Sequence, residues 1–200
     1  MRKILKSLAL ALAVAMVFSL AACNVGLSRK APTSVDNFNF TLSGEGYLIE
    51  VKDGVTLSGA VILPEEYNGK KVIGIRADGF KGQTGITKIS MSSCLRIGGY
   101  AFDGCTSLTT VEWSNDLVEI KQGAFNGCTE LLNIGTLPST LERIEKHAFA
   151  LCSTLRVVRI PASVTFIDSE AFANSENVSF EIDSANPVYK LDGSGKIVTK

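Results

Sequence analysis

The sequence predicts a repeat solenoid: a parallel β ladder with short crossover segments, closed by β-hairpin caps. Three observations predict it. Phe80, Phe102, Phe125, Phe149 and Phe172 recur at gaps of 22, 23, 24 and 23 residues. Each has an isoleucine five residues before it: Ile75, Ile97, Ile120, Ile144 and Ile167. Each has an apolar residue six positions after it: Ile86, Leu108, Leu131, Leu155 and Val178. Fixed offsets within a repeating unit mark a stacked array. A unit this small cannot bury its own apolar face and must share it with its neighbours. Such an array presents an extended surface, which favours binding over catalysis.

In chain order, residues 1–22 read as a lipoprotein signal peptide. Arg2, Lys3 and Lys6 give a basic start, and Leu8 to Leu20 is an apolar run of 13 residues. That run is short for a membrane span and suits a signal sequence. It ends in Leu20-Ala21-Ala22-Cys23, which resembles the lipobox of bacterial lipoproteins. The resemblance implies cleavage before Cys23 and lipidation of its thiol; an ordinary secretory signal with Cys23 incidental is the other reading. Two or more acyl chains would anchor the chain stably, which gives an expected location in the bacterial cell envelope, lipid-anchored and extracytoplasmic. Residues 23–37 contain Gly26, Ser28, Pro32, Thr33 and Ser34 without a clear period and read as a flexible tether. Without Arg2, Lys3 and Lys6 the chain has 17 basic and 20 acidic residues, which argues against a nucleic-acid partner.

Residues 38–63 read as an N-terminal cap. Phe38, Phe40 and Leu42 alternate on one side of Ser43-Gly44-Glu45-Gly46, and Tyr47, Ile49 and Val51 on the other. That is a hairpin pattern, and a hairpin there would cover the open end of the first repeat. Residues 64–182 form the repeat array. Val111-x-Trp113 and Val158-x-Ile160 alternate with period two, as strands with one buried face do. Parallel pairing of such strands needs a long crossover, which the rest of each repeat supplies. Residues 183–200, with Asn186-Pro187-Val188-Tyr189 and Asp192-Gly193, resemble the turn-rich segment that closes such repeat arrays, which implies a C-terminal cap.

The unit resembles the BspA-like leucine-rich repeat, whose pattern is a strand often ending in Ile-Pro, then an Ile, then Ala-Phe-x-x-Cys. Ile160-Pro161 and Leu137-Pro138 match the strand end. Ala101-Phe102-Asp103-Gly104-Cys105 and Ala124-Phe125-Asn126-Gly127-Cys128 match the second half. Ala148-Phe149-Ala150-Leu151-Cys152 matches with Leu151 in place of glycine, while Phe80 and Phe172 sit in degraded terminal copies. The resemblance implies a surface module of the adhesin type, with a protein or glycan partner and no cofactor.

Cys105, Cys128 and Cys152 share one offset from the repeat Phe, so stacking puts them in one column. A row of small buried thiols is one reading. A disulfide or a metal site is the other, although no Cys-x-x-Cys pair is present. Cys94 reads as core. Gln83 and Ser175 hold the column position at the two ends, where greater exposure is expected. His147, the single histidine, aligns with Tyr100, Gly123 and Glu170 and reads as a solvated surface residue. Trp113 lies in the column of Met91, Leu137 and Ile160, a core position from which a partly exposed indole could also anchor a ligand.

The outward strand positions Lys88, Thr110, Glu112, Asn133 and Arg159, with Trp113 at a strand end, supply a candidate binding surface; it is mixed polar with no dominant charge or aromatic stripe, and a solvated face is its default reading. No nucleophile, base or phosphate-loop motif occurs, so the sequence points away from an enzyme and assigns no metal. The expected role is a lipid-anchored cell-surface binding module. The alternative is a structural or assembly module that packs on another envelope protein.

Overall fold

The computed structural model describes residues 31–200, which form one compact unit. The signal peptide, Cys23 and the tether up to residue 30 lie outside the described residues. A short 3-10 turn, Val35–Asn37, leads into β1 (Phe38–Ser43), β2 (Gly46–Val51), β3 (Ser58–Ile62), β4 (Glu66–Tyr67) and β5 (Lys70–Ile75). Then follow β6 (Gly85–Ser90), β7 (Arg96–Ile97), β8 (Thr110–Glu112), β9 (Glu119–Ile120) and β10 (Arg143–Ile144). The chain closes with β11 (Val157–Ile160), β12 (Phe166–Ile167), β13 (Ser179–Ile182), β14 (Tyr189–Leu191) and β15 (Ile197–Thr199). Among the described residues there is no α-helix, hence none long and apolar enough to cross a membrane.

Each repeat crosses three rows of inter-repeat pairing. The first ladder runs β3–β6–β8 and resumes at β11–β13, all parallel. The second ladder runs β2–β5–β7–β9–β10–β12, also parallel, with β1 added antiparallel at its edge. Its strands are two residues long from β7 onward, because only the column isoleucine and the residue before it are extended. The third row is made of turns. The amides of Phe80, Phe102, Phe125 and Phe149 donate to the carbonyls of Ala101, Ala124, Ala148 and Ala171, at 2.7–2.8 Å. Positive φ recurs in this row, at Gly82 (+70°), Gly104 (+70°), Gly127 (+68°), Leu151 (+59°) and Asn174 (+58°). Glycine takes that conformation without a Cβ penalty, which explains why glycine stands there in three repeats out of five.

The core is the stack of repeat side chains. Phe102 and Phe125 have ring centroids 5.0 Å apart, Phe125 and Phe149 5.3 Å, and Phe149 and Phe172 5.4 Å, all stacked. Ile97, Ile120 and Ile144 are fully buried behind β7, β9 and β10. Phe40, Tyr47 and Tyr67 close the N-terminal end, Phe40 stacking on Tyr67 at 3.8 Å.

The structure adds four features to the sequence pattern. Thr33 pairs with the first ladder: its amide donates to the Ile62 carbonyl at 2.9 Å, and its hydroxyl accepts from the Ile62 amide at 3.0 Å. Thr33 thus satisfies the free edge of the first ladder. Within 38–63, β3 pairs parallel with β6, with a register shift between Gly59 and Ala60. The first ladder is interrupted in the fourth repeat, where only the bridges Thr110–Asn133 and Thr136–Arg159 remain. Gly135 there is an extra residue with φ +60°, and its amide donates to the Asn133 side chain at 2.6 Å. That local turn competes with strand pairing. Finally, Ser175 is buried, at 5% exposure, rather than opened by its terminal position.

The cysteine column explains Ser175. The thiols of Cys105, Cys128 and Cys152 donate to the carbonyls of Phe80, Phe102 and Phe125 at 3.1, 3.2 and 3.3 Å. Ser175 makes the same bond to Phe149 at 2.8 Å and accepts from the Cys152 amide at 3.0 Å. At the other end the Gln83 side chain bonds the Leu57 amide and the Val55 carbonyl. In the four copies from Cys105 to Ser175 the position therefore holds a small buried donor, and all four described cysteines are free thiols. Burial pushes the thiols of Cys94, Cys105 and Cys152 up to about 12, and pushes Cys128 up as well. The thiolate is the reactive form, so these four should resist a thiol reagent at pH 8 in the folded protein and react fully in denaturant. Intact mass should be unchanged by reductant; a gain of two hydrogens would reveal a disulfide.

Candidate functional site

Five of the six sequence-assigned surface residues lie on the first ladder, and Trp113 directly follows β8. Lys88 in β6 faces Thr110 in β8, and Thr110 bridges to Asn133. Glu112 sits opposite Ser90. Arg159 in β11 lies between Thr136 and Glu181 of β13. Parallel strands stand about 4.8 Å apart, so these positions form two columns running along the array.

Their charges are mutually satisfied. Lys88 pairs with Glu112, which also accepts from the Ser90 hydroxyl at 2.5 Å. Arg159 holds Glu181 with two nitrogens, at 2.7 and 3.4 Å. These are exposed pairs and contribute little to stability individually. What they do is neutralise the face and hold it in one arrangement. An open groove of about 270 Å³ lies beside the Arg159–Glu181 pair, lined also by Thr136, Pro161, Ile182 and Asp183.

Trp113 has a structural task. It is partly buried, its ring meets Phe125 edge-on at 5.6 Å, and its indole N–H donates to the Ile134 carbonyl at 2.5 Å. The indole thereby satisfies a carbonyl at the point where the ladder is interrupted. A buried indole needs such a partner.

His147 also gains partners that stacking supplies. Its Nε2 lies 2.8 Å from a Glu170 oxygen, and Lys146 reaches the other oxygen at 3.1 Å. Lys146 first and His147 second hold the Glu170 carboxyl below the usual carboxylate range. The pairing was latent in the sequence, since His147 and Glu170 share a column position in adjacent repeats.

The second ladder has an outward column of its own, which no period in the sequence marks. Arg96, Glu119 and Arg143 are in direct register there. Glu119 is ringed by Arg96 at 3.4 Å, Arg143 at 3.7 Å and Lys121 at 3.8 Å. The signal was again a shared offset, hidden because charged residues beside a core isoleucine read as solvent-facing filler. Among the described residues, no group of three or more His, Cys, Asp or Glu side chains is placed to hold a metal ion.

Comparison with known proteins gives a consistent answer for this architecture. A leucine-rich repeat protein of T. pallidum is similar at 32% identity with a TM-score of 0.70, covering 74% of this chain and 70% of that one. A leucine-rich repeat protein from Bacteroides ovatus ATCC 8483 is similar at 28% identity with a TM-score of 0.61, covering 75% of this chain and 40% of that one. The pneumococcal vaccine antigen PcpA shares the fold, with a TM-score of 0.60 at 18% identity, over 85% of this chain and 54% of that one. No curated protein matches the chain. Residues 71–191 match the BspA type leucine rich repeat region in 6 copies. With the repeated Ile-to-Phe spacing, the cysteine column and the stacked turns on the same residues, the chain belongs to the BspA-type leucine-rich repeat family.

Proposed function

We propose that the protein is a lipid-anchored binding module of the bacterial cell envelope, which recognises a protein or glycan partner through its repeat surface. The observation that carries this reading is the first ladder. It presents Lys88, Thr110, Glu112, Asn133 and Arg159 on adjacent rungs, with its charges paired and held in place. Solenoids of this kind typically serve as binding scaffolds, and their extended surfaces do the recognising. The anchored location rests on the basic start, the apolar run and Leu20-Ala21-Ala22-Cys23.

Two measurements test this reading. Mass spectrometry of the membrane-bound form should show an acylated N-terminal Cys23; a mature protein with an unmodified Cys23 removes the anchor. A pull-down with the mature chain against matrix proteins and against envelope extract should enrich partners from outside the cell. Enrichment of envelope proteins alone would favour a structural or assembly role instead.

A further inference from the structure

The second ladder presents positive charge in a fixed geometry. Arg96 and Arg143 occupy the same register position two strands apart, with Glu119 between them. Strands about 4.8 Å apart place their backbones about 9.6 Å apart. Both arginines contact Glu119 through Nε, at 3.4 and 3.7 Å. Among the described residues neither guanidinium has a hydrogen-bond partner on its two terminal nitrogens. The charges are unequally exposed: the Glu119 side chain is 15% exposed, against 68% for Arg96 and 44% each for Arg143 and Lys121. The carboxylate thus works from below, orienting two guanidinium forks whose outer edges face solvent. Arg143 is further fixed over the Phe166 ring, 4.2 Å from its centroid.

An apolar strip runs alongside. Leu95 is 39% exposed, and Val118 holds the equivalent place before Glu119. Phe166 continues the arginine column at its far end. Glu142 takes the next place after Val118 and ends the strip, while Glu145 is turned to the Gln122 amide at 3.1 Å.

We propose that the face built on β7, β9 and β10 binds an acidic polyproline II segment of a partner protein, with a carboxylate at every third residue. The proposal rests on the binding-module reading and names a different face from the first ladder. A polyproline II helix has three residues per turn and a rise of about 3.1 Å, so every third side chain recurs on one face after about 9.3 Å. That spacing lets successive carboxylates meet Arg96 and Arg143 while passing over Glu119. An extended strand repeats its side chains at about 6.8 Å and falls out of phase. An α-helix with an acid on each turn of about 5.4 Å would set one against Glu119. Guanidinium forks take carboxylates in bidentate fashion, and the intervening prolines would lie on Leu95, Val118 and Phe166. The segment arrives with little conformational entropy left to lose.

The test is a titration of the mature chain with a labelled peptide of repeated Glu-Pro-Pro triplets, at low and at physiological salt. Saturable binding that weakens with salt is expected. Arg96→Glu with Arg143→Glu should reduce affinity by about tenfold or more, and Arg96→Gln with Arg143→Gln in the same direction by less. Arg156→Glu, exposed just before β11, should leave it unchanged. A peptide with its acids at every fourth residue should bind more weakly. Equal binding of that peptide would show that charge alone is being read and overturn the geometric match. Absence of binding overturns the proposal, as does heparin displacing the peptide while binding more tightly through the same arginines, which makes the ligand an anionic glycan. If a partner captured by the wild-type chain is still captured by the Arg96→Glu, Arg143→Glu variant, the module reading survives and this face is not its site.

Discussion

Phe125→Ala should destabilise the array by about 3–5 kcal/mol, the cost of truncating a buried phenylalanine. Phe125 is fully buried and stacks on Phe102 and Phe149 at once, with Trp113 against its edge. Its removal breaks a continuous row of five rings at the centre. Each aromatic pair is worth about 0.5–1.5 kcal/mol beyond buried area, so the loss falls on both neighbouring interfaces. In a stacked array those interfaces carry the cooperativity. Urea denaturation should therefore show both a lower midpoint and a broader transition. Phe172→Ala provides the comparison: that ring is only partly buried and has a stacked neighbour on one side, so its loss should cost less. A change below ~1 kcal/mol for Phe125→Ala would mean that the column is not what holds the repeats together.

The phenylalanine row was legible because its offsets repeat, and repetition forces stacking. The first ladder was legible for the same reason, helped by the period-two pattern of Val111-x-Trp113 and Val158-x-Ile160. The second ladder was not. A two-residue strand such as Glu119–Ile120 has no period to read, so its isoleucine is recognisable only as core. The interruption at Asn133–Thr136 escaped notice because a single extra residue in a repeat that varies between 22 and 24 residues looks like ordinary drift.

The same contrast holds for the site residues. Column position predicted which side chains face outward, and Lys88, Thr110, Glu112, Asn133 and Arg159 do share one face. It did not predict which of them pair, since that depends on rotamers reaching one rung along. Ser175 shows the limit from the other side. A polar residue in a terminal copy reads as exposed, yet the Phe149 carbonyl and the Cys152 amide need a buried partner at that position, and a hydroxyl serves both. Burial there follows from backbone accounting, which sequence pattern alone does not display.

Backbone accounting also governs the C-terminal end, where Asn186→Leu should cost about 2–4 kcal/mol. Asn186 is fully buried and makes four bonds. Its Nδ2 donates to the carbonyls of Pro161 and Val164, each at 2.9 Å, and its Oδ1 accepts from the amides of Val188 and Tyr189 at 2.9 and 2.8 Å. Leucine has comparable bulk and supplies none of these, leaving buried backbone groups unsatisfied at about 1–3 kcal/mol each before relaxation. The cap should loosen first, because Tyr189 follows Asn186 and its hydroxyl accepts from the Ile167 amide at 2.8 Å on the last strand of the second ladder. Hydrogen exchange at Ile167 should therefore accelerate before global unfolding. Asn186→Asp separates hydrogen bonding from packing. Its carboxylate would keep both amides but face two carbonyl oxygens in a buried site, so its folded pKa should rise above the unfolded value of about 3.9. The folded state then binds the proton more tightly, and that variant's stability should be greatest at low pH and fall as pH rises through the shifted pKa. Differences from wild type that are flat across pH 3–8, together with unchanged Ile167 exchange in Asn186→Leu, would show that this side chain does not hold the end of the array shut.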